Sequence, residues 1–361
     1  MSYSPRSPSA EGQQKKDDAA RKERVQQLVK LPNPRPRALT PDATCSKAPV
    51  ARFQESWQWF KIPPNIRRDI LRQAFGDGRL HLQLVHGCQE DTAAESDRQG
   101  WRWRSSRCYR LSQDDITQRH AMTNGGLPGP WSDECHLDSA PVGIMGWLLS
   151  CRQNYSETID ILYSTNVLIL NGQAMMIHLH QLIPTQRLET VTSLEVRWYL
   201  KTRFTSWDDT IDKLDGDHLD CVFNQLSSPY FPALRNLYIT LEDSSQARLS
   251  IDAIEDYKDI ILKHLDDFSR RMNHLKQFSC ALPSTFFEYI YHEATEEIRG
   301  RSAIEYESYR QVWRDSYGQM TVVRIPYIDN YPGPPHHILQ DSMVQDSMAG
   351  GYWILEIPGT N

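Results

Sequence analysis

At 361 residues and 41.9 kDa, with 39% hydrophobic residues and a mean hydropathy of -0.59, the chain can bury a substantial core yet keeps part of itself outside one. Its seven cysteines, Cys45, Cys88, Cys108, Cys135, Cys151, Cys221 and Cys280, form no CxxC pair and are odd in number, which argues against a secreted disulfide framework; no apolar run reaches membrane-spanning length. The formal charge of -6 is unevenly divided, because between Lys15 and Arg37 eight basic residues stand against Asp17, Asp18 and Glu23, a net of +5 that leaves -11 on the remainder, and an acidic body argues against general nucleic-acid binding.

Residues 1–50, rich in Ser, Pro, Lys and Arg, predict a disordered basic arm whose sharper uses are a nuclear-import signal or an electrostatic tether. Its polar, charged start lacks the pattern of a secretory leader, so an intracellular protein, cytoplasmic or nuclear, is expected. Order is expected from Trp57, Trp59 and Phe60 onward. Pro63 and Pro64 open a helix over 65–75, with Ile66, Ile70, Leu71 and Ala74 at helical spacing and Gly76 and Gly78 as the stop. Ile66, Ile70 and Leu71 are expected to face the protein's own core, although an exposed partner surface is the competing reading.

Leu80, Leu82 and Leu84, then Trp101 and Trp103 alternating with Arg102 and Arg104, predict two half-buried strands around a polar loop at 88–100. The aromatic and basic mix of the second strand, with Arg107, Tyr109 and Arg110, reads either as an indole face on the core or as a platform for single-stranded nucleic acid. Ile144, Leu148, Cys151, Tyr155, Ile159 and Leu162 predict one long helix or two abutting ones over 143–163, with Asn166 as the stop and an apolar strand at 167–170.

Beyond it an apolar template recurs at Val191/Leu194/Val196/Trp198, Leu234/Leu237/Ile239/Leu241 and Leu275/Phe278/Cys280/Leu282, with spacings of 43 and 41 between Leu194, Leu237 and Phe278. Helical patterns lie between the matches (Ile211, Leu214, Val222, Phe223; Ile254, Ile261, Leu265, Phe268), so the expectation is a parallel sheet of leucine-rich-repeat-like stacked strand–helix units. A helix over 284–297 with Thr285 and Glu288 as a capping box follows, and strands at 321–328 and 352–357 flank a Pro-rich loop at 331–337. The fold class expected is α/β: a single mixed domain over 51–357 behind the arm of residues 1–50.

The segment Phe60-Lys61-Ile62-Pro63-Pro64-Asn65-Ile66-Arg67-Arg68-Asp69-Ile70-Leu71 resembles the opening of F-box motifs, in which a Leu-Pro-x-Glu turn starts the first helix, with Asn65 where the Glu would stand. The run from Leu148 through Cys151-Arg152-Gln153-Asn154-Tyr155 to Asn166 resembles a large group of uncharacterised fungal proteins that pair an F-box-like helix with a Cys-Arg-Gln-x-Tyr helix and a strand. The likeness covers roughly residues 55–200, so 51–200 read as the F-box-like family region of the domain and 201–357 as the stacked strand–helix continuation. It implies a protein partner, a cullin-ligase adaptor, met by Ile62, Pro63, Ile66, Ile70 and Leu71.

No G-x-G-x-x-G, Walker-type, H-E-x-x-H or G-x-S-x-G string is present, so no catalytic residue, cofactor or metal ligand is named. His178 and His180, His336 and His337, and Cys135 with His136 lack partners at zinc-site spacing. Asp208-Asp209, Asp266-Asp267 and Glu296-Glu297 read as solvated faces or helix-start charges. The favoured function is a non-enzymatic protein–protein interaction module, adaptor or scaffold. Two alternatives stay open: a nucleic-acid-associated protein using the arm and the Trp/Arg strand, and an enzyme whose site assembles from distant residues.

Overall fold

In a computed structural model the described residues are 57–86, 101–108, 142–203, 213–227, 229–243, 251–297, 308–326 and 350–357. The chain runs α1 (Gln58–Lys61), α2 (Pro64–Phe75), β1 (Arg79–His86), β2 (Trp101–Arg107), α3 (Met145–Ser150), α4 (Arg152–Ser164), β3 (Val167–Asn171), α5 (Gln173–Leu182), α6 (Thr185–Leu188) and β4 (Ser193–Leu200). It continues through β5 (Thr202–Arg203), β6 (Lys213–Leu214), α7 (Gly216–Leu226), β7 (Asn236–Asp243), α8 (Ile251–Arg271), β8 (Gln277–Leu282), α9 (Ser284–Glu297), β9 (Ser308–Asp315), β10 (Met320–Pro326) and β11 (Gly351–Glu356).

Among the described residues nine strands form one sheet in the order β10-β9-β11-β8-β7-β4-β3-β1-β2, and β5 with β6 form a separate two-stranded ribbon. The pairs from β1 to β3 and onward through β4, β7, β8 and β11 are all parallel, whereas β2, β9 and β10 pair antiparallel. The apolar template sets the register directly: Leu194 lies opposite Leu237 and Leu237 opposite Phe278, while Val196, Ile239 and Cys280 form the next row. Equivalent residues of successive units thus stack on one face, where alternate strand positions meet Met175, Leu179, Val222, Phe223, Ile261, Leu265 and Phe286 from the helices.

The helix expected over 143–163 is two, because Cys151 is extended (φ -162°, ψ 162°) and its sulfur accepts from the Asn154 N–H at 3.4 Å, capping α4. Leu214 does not belong to a helix; it lies in β6, and α7 begins after Asp215, whose carboxylate accepts from the His218 N–H at 3.3 Å. The capping box proposed at Thr285 and Glu288 is out of register, since α9 already starts at Ser284, whose hydroxyl donates to the Ile357 carbonyl at 3.0 Å. The loops expected at 88–100 and 331–337, with Ile211 and the arm of residues 1–50, lie outside the described residues.

One polar network crosses the far end of the core. Arg314 on β9 donates from Nε and Nη2 to the two carboxylate oxygens of Asp266 on α8, both at 2.9 Å, and the Tyr352 hydroxyl donates to Oδ1 at 2.8 Å. Asp266 is therefore not the solvated helix charge its sequence context suggests: only 14% of its side chain is exposed. Burial, with the neighbouring Asp266 charge, raises Tyr352 well above the ordinary phenol value. Burial also pushes Tyr163 up to about 12 and raises the Cys280 thiol.

These three groups are neutral when protonated, so their raised folded values make the native chain hold protons that the unfolded chain releases. Their contribution is complete below the unfolded thiol and phenol values of about 8.5 and 10, and is lost as pH rises through and above them. Urea denaturation midpoints are expected to fall from about pH 9 and more steeply above 10. A flat profile between pH 8 and 11 would contradict this burial pattern.

Candidate functional site

The α1–α2 and α3–α4 segments, far apart in sequence, pack together at the β1 end of the sheet. Pro63 has φ -55° and Pro64 occupies the first turn of α2, where a missing N–H costs no intrahelical bond. On the inner face of α2 sit Arg67 and Leu71, both buried. Arg67 donates from Nε to Glu157 Oε2 at 2.9 Å and from Nη2 to Oε1 at 2.6 Å, while Nη1 donates to the Ile62 carbonyl at 2.6 Å. One guanidinium thus ties the turn before α2, α2 itself and α4 in a bidentate arrangement.

Glu157 also accepts from Gln153 at 3.0 Å. Burial works to raise its carboxyl value, but the hydrogen bonds from Arg67 and Gln153 and the Arg67 charge outweigh that and hold it below the usual carboxylate range. Around this lock Trp147 of α3 stacks near Trp57 (6.4 Å between ring centres) and meets Trp59 edge-on at 5.1 Å, and its indole N–H donates to Thr158 at 2.8 Å.

The far end of α2 is fixed by Asn166, which donates to the carbonyls of Phe75 (2.7 Å) and Leu162 (2.9 Å) and accepts from the Gly78 N–H (2.9 Å). Gly76 lies so close to α4 that a Cβ there would stand 2.4 Å from Thr165 Oγ1 and 2.8 Å from the Arg72 carbonyl. Gly76→Ala is expected to cost about 1–3 kcal/mol. Chemical denaturation measures this, and an unchanged midpoint would show that the α2–α4 junction can shift freely.

The outer face of α2 contradicts the core expectation. Ile66 is 44% and Ile70 42% exposed, against 2% for Leu71. Ile66 and Ile70 sit one turn apart on a single stripe, next to the exposed Pro63 and half-buried Ile62, while Leu71 is withdrawn into the protein and cannot meet a partner. Met145 and Leu149 form a second exposed pair one turn apart on α3. The five residues read as a contact set therefore divide into an accessible group, Ile62, Pro63, Ile66 and Ile70, and one core residue.

The pattern of the family described as a domain of unknown function (DUF7730) matches residues 52–302. The chain belongs to this family. No curated protein and no solved structure matches it. The matched span contains every element from α1 to α9, so the α2–α4 unit lies within the DUF7730 domain and β9, β10 and β11 lie beyond the matched residues.

Elsewhere in the DUF7730 domain two of the polar groups singled out from sequence pack against the fold. His180 stacks on Tyr230 at 5.7 Å. Arg107 of the Trp/Arg strand donates to the Ala74 carbonyl, so part of that basic stripe is bound to α2; the side chains of residues 101–104 lie outside the described residues. Cys135, His136, His336, His337, Asp208 and Asp209 lie outside them too. Among the described residues no group of three or more His, Cys, Asp or Glu side chains is placed to hold a metal ion, and no helix is long and apolar enough to cross a membrane.

Sequence reasoning missed Arg67 and Glu157. The available signal was weak: one of three arginines among the four charged residues of α2, and a glutamate four residues after Gln153, each indistinguishable from a solvated charge until the two helices meet.

Proposed function

We propose that this chain is a non-enzymatic protein-interaction module whose contact surface is the outer stripe of α2, Ile66 and Ile70, with Ile62 and Pro63 of the turn before it. The observation that supports the reading is the pairing of exposure with rigidity: two β-branched apolar side chains project one turn apart from a helix that Arg67 and Glu157 anchor from behind. A preorganised apolar stripe loses little entropy when a partner covers it. The resemblance of this segment to an F-box opening, and the packing of its helix on α3 and α4, favour a cullin-ligase adaptor protein as the partner. The stacked units, similar in arrangement to leucine-rich repeats, would then serve as the body that carries this contact.

The exposure of Ile70 sets the test. Ile70→Asp is expected to leave the melting temperature within about 2 °C of the parent, because an exposed apolar-to-charged change costs little. The same substitution is expected to abolish co-elution of the purified adaptor on a sizing column. Absence of co-elution with the unsubstituted chain at tens of micromolar, or equal co-elution of the variant, would overturn the reading.

A further inference from the structure

The start of α4 gathers polar groups that the α2–α4 packing leaves unused. Cys151 stands extended at the N-cap and half-buried, and its Sγ accepts from the Asn154 N–H at 3.4 Å. Asn154 lies in the first turn of this 13-residue helix with 0% exposure. Its side-chain amide reaches back over the cap, where Nδ2 donates to Ser150 Oγ at 2.8 Å. Ser150 fixes which way that amide points. Its hydroxyl donates to the Trp147 carbonyl at 2.6 Å, so the serine oxygen has no proton left to give and must face the Asn154 nitrogen. The other end of the amide, Oδ1, is then an acceptor buried beside the cap, and among the described residues it has no hydrogen-bond partner.

A buried acceptor without a donor costs about 1–3 kcal/mol, which marks Oδ1 as a place where a proton-bearing group belongs. The Trp147 indole N–H does not serve, because it donates to Thr158 at 2.8 Å. The group at the cap must also accept. The first N–H groups of a helix have no intrahelical acceptor and point out of its positive end. In α4 the sulfur takes that of Asn154, which leaves those of Arg152 and Gln153, and the exposed Arg152 side chain adds a positive charge to the same turn. In the run Cys151-Arg152-Gln153-Asn154 the thiol, the two outward N–H groups and the amide are therefore consecutive.

A single oxygen on Cys151 Sγ meets both requirements, since S–O–H accepts from the helix end and donates to Oδ1. We propose that Cys151 is a peroxide-oxidised thiol whose sulfenic acid is held by the Asn154 side chain and the first N–H groups of α4. The sulfur attacks one oxygen of hydrogen peroxide; the S–O bond forms, the O–O bond breaks, and the thiol proton leaves with the other oxygen as water. Sulfur is oxidised by two electrons and the peroxide is reduced by the same two. Negative charge that develops on oxygen during the displacement is stabilised by the positive end of the helix. The added oxygen extends the side chain by one atom toward an amide oxygen that the thiol does not bond.

The other described thiols lack this arrangement. Cys280 is fully buried in β8, and burial raises its thiol. Cys221 lies inside α7, where burial raises its thiol too, and Cys108 follows the end of β2. None of the three stands at a helix start.

Dimedone trapping on the full chain after a brief pulse of hydrogen peroxide, read peptide by peptide by mass spectrometry, tests the assignment. Cys151 is expected to carry at least about fivefold more adduct than Cys108 or Cys221, and Cys280 none. That excess is expected to vanish in concentrated urea. Asn154→Leu keeps the side chain's shape and removes the acceptor; it is expected to lower the Cys151 adduct at least about fivefold while iodoacetamide alkylation of Cys151 stays at the parent rate. Cys151 adduct no greater than that of Cys221, an excess that survives unfolding, or an Asn154→Leu variant that traps like the parent would overturn the proposal. A parallel fall in alkylation would assign the loss to access and reject the role of Oδ1. Should Asn154→Leu fail to fold, the parent's folded chain against its unfolded chain decides: an excess confined to the folded chain upholds the site, and any other result rejects it.

Discussion

Replacing Arg67 with alanine is expected to destabilise the protein by about 3 kcal/mol and to lower the melting temperature by roughly 5–10 °C. The guanidinium is nearly sealed from water, with 7% of its side chain exposed, so deletion leaves Glu157 half-buried without its cation and the Ile62 carbonyl without a donor. The partial exposure of Glu157, 24%, keeps the cost at the lower end for a broken buried pair. Arg67→Lys is expected to recover less than half of the loss, because an ammonium cannot span both carboxylate oxygens and the carbonyl at once. Thermal scans of both variants against Glu157→Gln check this. Equal melting temperatures for the parent and the alanine variant would mean that the α2–α4 contact rests on Leu71 and the Trp147 cluster alone.

Asp266→Ala is expected to cost a further class of stability, about 3–4 kcal/mol, because it strands Arg314 and the Tyr352 hydroxyl at the same time. Both Asp266 and Arg314 have only 14% of their side chains exposed, and the removed carboxylate accepts three hydrogen bonds. The loss should be local at first, since the network joins α8 to β9 and β11 and leaves the α2–α4 unit untouched. Hydrogen exchange is expected to accelerate most over 308–326 and 350–357, with little change over 57–75. Uniform acceleration would show that the sheet opens as one unit.

Much of the sheet could be read from sequence because its information is local and periodic. The template around Leu194, Leu237 and Phe278 needed only alternation within a strand and spacing between strands, and those residues stand opposite one another in the folded register. The orientation of α2 was not legible by the same means. Its apolar residues at 66, 70, 71 and 74 cover two adjoining stripes, and the buried one passes through Arg67, which periodicity counts as polar. Whether an arginine turns inward depends on a carboxylate 90 positions away, Glu157, and no pattern within either helix encodes that pairing. Asp266 misled in the same way, because its partners Arg314 and Tyr352 come from strands made much later. The exposed stripe proposed as a contact surface was named by position, but Leu71 is buried and the direction expected for Ile66 and Ile70 is reversed.

The place of β11 in the sheet has a consequence for synthesis of the chain. Strands β3, β4, β7 and β8 each pair with a strand of the main sheet that is already made, β1, β3, β4 and β7 in turn, so the sheet can lengthen while the polypeptide is still leaving the ribosome. That growth stops at β8. β9 and β10 emerge as a hairpin, but in the finished sheet β9 is held to β8 only through β11, the last of the described strands in chain order. From Ser308 to Glu356, at a translation rate of about 5–20 residues per second, the edge of β8 waits unpaired for several seconds. An open edge is where strands of neighbouring chains can add, so Gly351–Glu356 acts as the late insertion that ends the chain's period of exposure to misassembly.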